Sequence, residues 1–189
     1  MEQSQFCEHS VKQKIEGKWV LKRVLYIALP VSLLLLFTFV GLVQKNVLPY
    51  IVVALLVDVP LFLFTWRTTK LEYEYTMTGG VLTFSHVYGG SSRKLIFETD
   101  LKTIHAAFAY ASEKGRKALN EYAPEVQYFA LPSENEADNA EREVWCCLFE
   151  GEDGKRTAFY FELTDKAYRF LRTYAPTRIV GERIRGAQR

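Results

Sequence analysis

The sequence is short of the residues that do chemistry. Three cysteines (Cys7, Cys146, Cys147) and three histidines (His9, His86, His105) are spread over 189 residues. An odd cysteine count without a CxxC pair supplies neither a disulfide framework nor metal-ligand spacing, and free thiols suit a reducing, cytosolic side. There is no HExxH, no phosphate loop and no GxSxG elbow. Gly79-Gly80 and Gly89-Gly90 have strand patterns on both sides, so they lack the strand-then-helix setting that phosphate binding needs. Glu72 and Glu74 share one face of a strand, as a solvated outer face also would. His86 falls in register with Leu82, Phe84 and Tyr88, which predicts an inward, packed ring. No catalytic, cofactor or metal site is expected, and the chain is not expected to be an enzyme.

Charge of a single sign is missing too. The net charge is +2, and residues 67–189 carry eighteen basic and eighteen acidic side chains. Without a basic field, nucleic acid is excluded as an expected partner. The Asn-x-Ser/Thr acceptor is absent as well.

What the sequence does have is uninterrupted apolar length. Val24–Val43 and Val47–Trp66 are two apolar runs of twenty residues joined by Gln44, Lys45 and Asn46. At about 1.5 Å per residue each makes a helix roughly 30 Å long, the thickness of a bilayer's hydrocarbon core. Three connecting residues permit only an antiparallel helical hairpin. A core helix of a soluble protein would keep a polar stripe, yet the first run carries no charge and the second only Asp58. The expectation is a transmembrane hairpin over 24–66 (24–43 and 47–66). Lys12, Lys14, Lys18, Lys22 and Arg23 precede it, Arg67 and Lys70 follow, and Lys45 alone lies in the loop. Because basic flanks stay inside, both termini are expected in the cytoplasm of a two-helix cell-membrane protein.

Asp58 in mid-run costs about 2.5–3.5 kcal/mol on insertion, which the apolar residues around it outweigh. If Lys45 is the midpoint, Asp58 lies at the depth of Ser32, and the two form a candidate intramembrane polar pair. The pair reads either as glue, within the hairpin or across a homo-oligomer, or as a proton or ion site.

Residues 1–23 read as a cytoplasmic arm, flexible or, through Val11 and Ile15, a short surface helix. After Arg67 the period changes to two. Leu71–Met77, Val81–Tyr88 and Arg93–Phe97 form a three-strand meander around Thr78-Gly79-Gly80 and Gly89-Gly90-Ser91-Ser92. His105–Ala111 and Val126–Leu131 read as strands, 112–125 as a loop with room for a short helix, and Ser133–Glu143 as an acidic loop. Val144–Glu150 and Thr157–Leu163 form a hairpin around Gly151–Gly154. Thr164 caps a last helix whose Ala167, Phe170, Leu171 and Tyr174 share one face, with Asp165 and Arg169 as an i, i+4 pair.

Strands followed by one amphipathic helix give the order of a PH-like fold over 67–176. With Tyr73-Glu74-Tyr75-Thr76, Gly80, Leu82, Arg93-Lys94 and the terminal helix, residues of roughly 20–180 resemble the bacterial PH-like domains that follow transmembrane hairpins. More closely, the chain resembles a family of Gram-positive two-helix membrane proteins with a domain of unknown function. This chain has Thr83 and Ser85 where that family tends to carry acidic residues. The resemblance implies an α+β membrane protein: an N-terminal transmembrane hairpin, then a PH-like antiparallel β-barrel or sandwich capped by a C-terminal helix. PH-like domains bind lipid headgroups through basic residues around the first hairpin loop, but Thr78-Gly79-Gly80 carries no charge. The function implied is a membrane-anchored interaction module that binds a protein or self-associates; the alternative is a small transport or channel subunit using Asp58. The tail 177–189 carries Arg178, Arg183, Arg185 and Arg189 against Glu182, as either a solvated terminus or a weak contact with anionic lipid.

Overall fold

The computed structural model describes residues 6–14, 17–133, 139 and 142–183. They form two compact units, one comprising Lys14–Leu71 with Tyr88–Ser92, the other holding most of the remaining chain.

The first unit is the helical hairpin, α1 (Lys18–Val43) and α2 (Val47–Thr68). α1 starts six residues before the apolar run, taking in Trp19, Lys22 and Arg23. Lys45 turns the chain with φ 56°, a left-handed conformation. Gly41 is needed there because an added Cβ would sit 2.9 Å from the Val47 Cα and 3.3 Å from the Tyr50 ring. Each helix shields one line of positions. On α2 these include Val47, Tyr50, Ala54, Asp58, Leu61 and Thr65, and on α1 Arg23, Tyr26, Pro30, Leu33 and Phe37. Steps of three and four give the near-3.5 repeat of two helices packed along a seam.

The second unit is a two-sheet sandwich. Its strands are β1 (Phe6–Lys12), β2 (Leu71–Thr78), β3 (Val81–Tyr88), β4 (Ser92–Asp100), β5 (Ala106–Ala109), β6 (Val126–Ala130), β7 (Val144–Glu150), β8 (Arg156–Glu162) and β9 (Ile179–Val180). Its helices are α3 (Glu113–Tyr122) and α4 (Asp165–Tyr174). One sheet runs β1-β2-β3-β4 and the other β6-β8-β7-β5-β9.

Three expectations are corrected here. The sheets stay separate, so no closed barrel forms among the described residues. They meet face to face through aromatic contacts such as Phe84–Phe159 (4.9 Å) and Phe97–Phe149 (4.8 Å). Pairing is not wholly antiparallel, since β6–β8 and β5–β9 are parallel. Finally, the N-terminal arm is neither flexible over 6–12 nor a surface helix there. It pairs with β2 from Phe6↔Thr78 to Lys12↔Glu72, and the alternation of a half-buried strand places Cys7 and Val11 in the core. Ile15 lies outside the described residues.

β5, β7 and β8 are buried on both faces, where a solvated outer face would leave alternate residues exposed. The inner face joins the larger core with Tyr75, Met77, Leu82, Phe84 and α4. The outer face packs Phe108, Cys146, Leu148 and Tyr160 against Leu119 and Tyr122 of α3. α3 itself is a true helix, capped by the Ser112 hydroxyl, which accepts from the Gly115 N–H at 3.0 Å. α4 begins as the sequence predicts, with Ala167 N–H donating to Thr164 Oγ1 at 3.1 Å. Gly80 (φ +93°) gives Tyr174 its seat, since an added Cβ would lie 2.8 Å from the ring.

Candidate functional site

Asp58 sits on the hairpin seam, 7% exposed, and its Oδ1 has no hydrogen-bond partner among the described residues. Ser32 is exposed, and its hydroxyl donates to the Leu29 carbonyl at 2.7 Å. The Ser32 hydroxyl is thus bonded within its own helix, and Ser32 flanks the shielded line that runs through Pro30 and Leu33. At the open end of the hairpin, aromatic and basic side chains interleave. Lys22 Nζ lies 5.0 Å from the Trp19 ring and 5.6 Å from that of Tyr26. Arg23 stacks over Trp66 at 5.8 Å and donates to the Thr69 carbonyl at 3.3 Å. Each contact combines a cation–π attraction with shielding of the alkyl stem.

In the sandwich, two of the motif residues behind the family resemblance, Arg93 and Tyr75, tie strands together. Arg93 donates to Glu74 Oε2 at 3.0 Å and lies 3.6 Å from Glu8, tying β4 across to β2 and β1. Tyr75 is fully buried and donates its hydroxyl to the Glu162 carbonyl at 2.7 Å. Burial raises its pKa, with the neighbouring Cys7 adding to the effect. Arg93 is thus engaged in ion pairs with Glu74 and Glu8.

The thiols are sealed. Cys146 and Cys147 face opposite sides of the second sheet, as strand alternation requires, and both are buried. Burial pushes the Cys147 thiol up to about 12 and Cys146 well above its ordinary value. Cys7 is raised by burial as well, partly offset by its hydrogen bond with Thr164. Thiols held protonated are poor nucleophiles. His86 packs edge-on against Tyr73 and Phe84, and burial, then Lys94, lowers its pKa. His9 Nε2 lies 3.5 Å from Glu162 Oε2, and Arg142 also engages that carboxylate. His9 and Arg142 hold Glu162 below its ordinary value, against the opposing effect of burial. No group of three His, Cys, Asp or Glu able to hold a metal occurs among the described residues.

The basic tail is rearranged by folding. Arg183 is 15% exposed and donates to both Glu143 oxygens (2.8–3.0 Å) and to Asp165 Oδ1 (2.6 Å), with its guanidinium 5.0 Å from the Tyr168 ring. Hydrogen bonding to Glu143, then Asp165, raises its pKa against burial. Arg183 is thereby engaged with the folded unit, where the sequence reads a solvated or lipid-contacting tail, and Asp165 is one of its partners. Arg178 is exposed; Arg185 and Arg189 lie outside the described residues. Sequence spacing gives no sign of the Glu143–Arg183 pair because forty residues separate them.

No curated protein and no solved structure matches the chain. The family model of a bacterial PH-like domain, DUF6106, matches residues 3–181, a span that covers the hairpin and the sandwich together. The chain belongs to the bacterial PH-like domain family DUF6106.

Proposed function

We propose that this protein is a membrane-anchored interaction module. α1 and α2 cross the bilayer with both termini in the cytoplasm, and the PH-like unit docks a protein partner or a second copy without catalysing a reaction. One observation carries the anchoring: the hairpin is inverted in polarity. Leu21, Leu48, Leu56 and Phe64 are 71–77% exposed and most other large apolar residues of the two helices are exposed too, while the acid Asp58 is turned inward. Water-soluble monomers rarely expose contiguous apolar patches beyond a few hundred Å², whereas lipid favours this arrangement. Both helices are long and apolar enough to span a membrane. The Lys22–Trp19 and Arg23–Trp66 contacts put aromatic and basic groups at one end of the hairpin, as an interface would. The sealed thiols and engaged motif residues favour a binding role over a catalytic one. Contact with anionic lipid is assigned to Arg178, with Arg185 and Arg189, and without Arg183 it is weaker than four arginines would give.

Pull-down from detergent by the full chain and by the hairpin alone tests the module. A partner retained only by the full chain supports it; the same partners on both refute it. The channel-subunit reading rests on the unpartnered Oδ1 of Asp58. Proton flux in liposomes that is abolished by Asp58→Asn would establish that reading, and flux indistinguishable from empty liposomes would end it.

A further inference from the structure

β4 is the outer strand of the first sheet, so one row of its backbone groups has no strand partner among the described residues. Its Leu95 is 57% exposed, and with Phe6 it is one of two exposed large apolar side chains among the described residues of the sandwich. The strand reads Ser92-Arg93-Lys94-Leu95-Ile96-Phe97-Glu98-Thr99-Asp100. An open edge of this kind is a template for another strand.

The sequence of the strand indicates which one. Antiparallel pairing of β4 with a second copy, centred on Ile96, sets Lys94 opposite Glu98 twice and Leu95 opposite Phe97 twice. Arg93 meets Thr99, and Ser92 meets Asp100. Lys94 and Glu98 are exposed, and neither is in an ion pair among the described residues. Edges guarded against association carry charge of one sign, which repels a second copy. Here opposite signs lie at mirror positions about the centre, and opposite charges directly across a strand pair stabilise it. The other open edges lack this symmetry. β1 about its centre His9 sets Glu8 against Ser10, and β6 (Val-Gln-Tyr-Phe-Ala) carries no charge.

We infer that β4 is a self-recognition edge through which two copies of this chain pair antiparallel about Ile96, joining two four-stranded sheets into one of eight. This deepens the proposed function and rests on it: a single strand pair is a small contact, and anchoring in one bilayer supplies the effective concentration that makes it persist. A two-fold arrangement of this kind closes on itself and leaves no further β4 edge to extend.

The test is disulfide trapping of the full chain. Two copies of residue 96 face each other within disulfide reach, whereas two copies of residue 99 lie about 20 Å apart. Cys7, Cys146 and Cys147 are buried and leave the background clear. In isolated membranes under a mild oxidant, Ile96→Cys should form a covalent dimer and Thr99→Cys should not. Adding Lys94→Glu to Ile96→Cys should cut the dimer about five- to thirty-fold by placing like charges opposite. Adding Glu98→Lys as well should restore it. No dimer with Ile96→Cys in membrane-bound chain, equal trapping at 99, or a yield indifferent to both charge changes would overturn the inference. The same trapping in chain recovered from the soluble fraction would preserve the pairing and refute the anchoring.

Discussion

The hairpin and the sandwich are built from similar apolar letters arranged in opposite senses. In the sandwich, Trp145, Phe159, Phe161 and Leu171 are fully enclosed, and the buried acid Glu74 is paired with Arg93. In the hairpin, Leu21, Leu56 and Phe64 are among the most exposed residues and the acid is inside. Burial therefore means different things in the two regions. In one it removes apolar surface from water; in the other, under the proposed anchoring, the solvent around the helices is itself apolar and packing along the seam replaces the hydrophobic effect.

The largest expected effect sharpens this contrast directly. Phe161→Ala empties a site in the sandwich core and should cost about 3–5 kcal/mol, read as a large fall in the unfolding midpoint of full chain in detergent. Phe64→Ala, on the outside of the hairpin, should shift that midpoint little. Equal losses would dissolve the distinction between the two regions.

Alkaline pH should weaken the sandwich next. Above pH 9 the unfolded chain gives up the Cys147 proton, while the native state, with its thiol at about 12, keeps it. The native state then binds more protons, so stability falls as pH rises, by about 1.4 kcal/mol per unit for this thiol. Cys147→Ala should make the decline of the urea midpoint between pH 9 and 11 shallower; an unchanged slope would remove this thiol from the account.

Arg183→Ala should cost about 1–3 kcal/mol, since Glu143, whose side chain is 12% exposed, would lose its counter-charge. Faster proteolysis near the C-terminus together with a lower midpoint is expected; an unchanged protein would return Arg183 to the free tail. Smallest is the acid limb. Glu162 is held below its ordinary value, so its contribution is present above about pH 4.5 and fades as pH falls. Arg142→Ala should flatten the fall in midpoint between pH 5 and 3, and an unaltered profile would exclude that pair as its source.

Much of this was legible in the sequence because its signals were local. Run length placed α1 and α2, glycine turns placed β2–β4 and β7–β8, and Thr164 marked the start of α4. β1 was not legible, because its inward positions are Cys7, His9 and Val11, and only the last reads as apolar. α3 buries only one side among charged neighbours, and Gly115 weakens its helix pattern, although Ser112 before Glu113 carried a cap signal. The open sheets and the Glu143–Arg183 latch depend on contacts between residues far apart in the chain. In the sequence, depth alone pairs Ser32 with Asp58. The seven-residue spacing of Arg23, Pro30 and Phe37 places the seam and leaves Ser32 to its side.

The central claim is that the inverted hairpin lies in a membrane with its turn outside. Asn46→Cys and Asn120→Cys, each in the chain with its buried native thiols, can be exposed to an impermeant maleimide in intact cells. The account predicts that the chain stays in the membrane pellet at alkaline pH and that position 46 is labelled from outside while position 120 reacts only after lysis. A chain released into the supernatant, or labelling at 120 and not at 46, would contradict it.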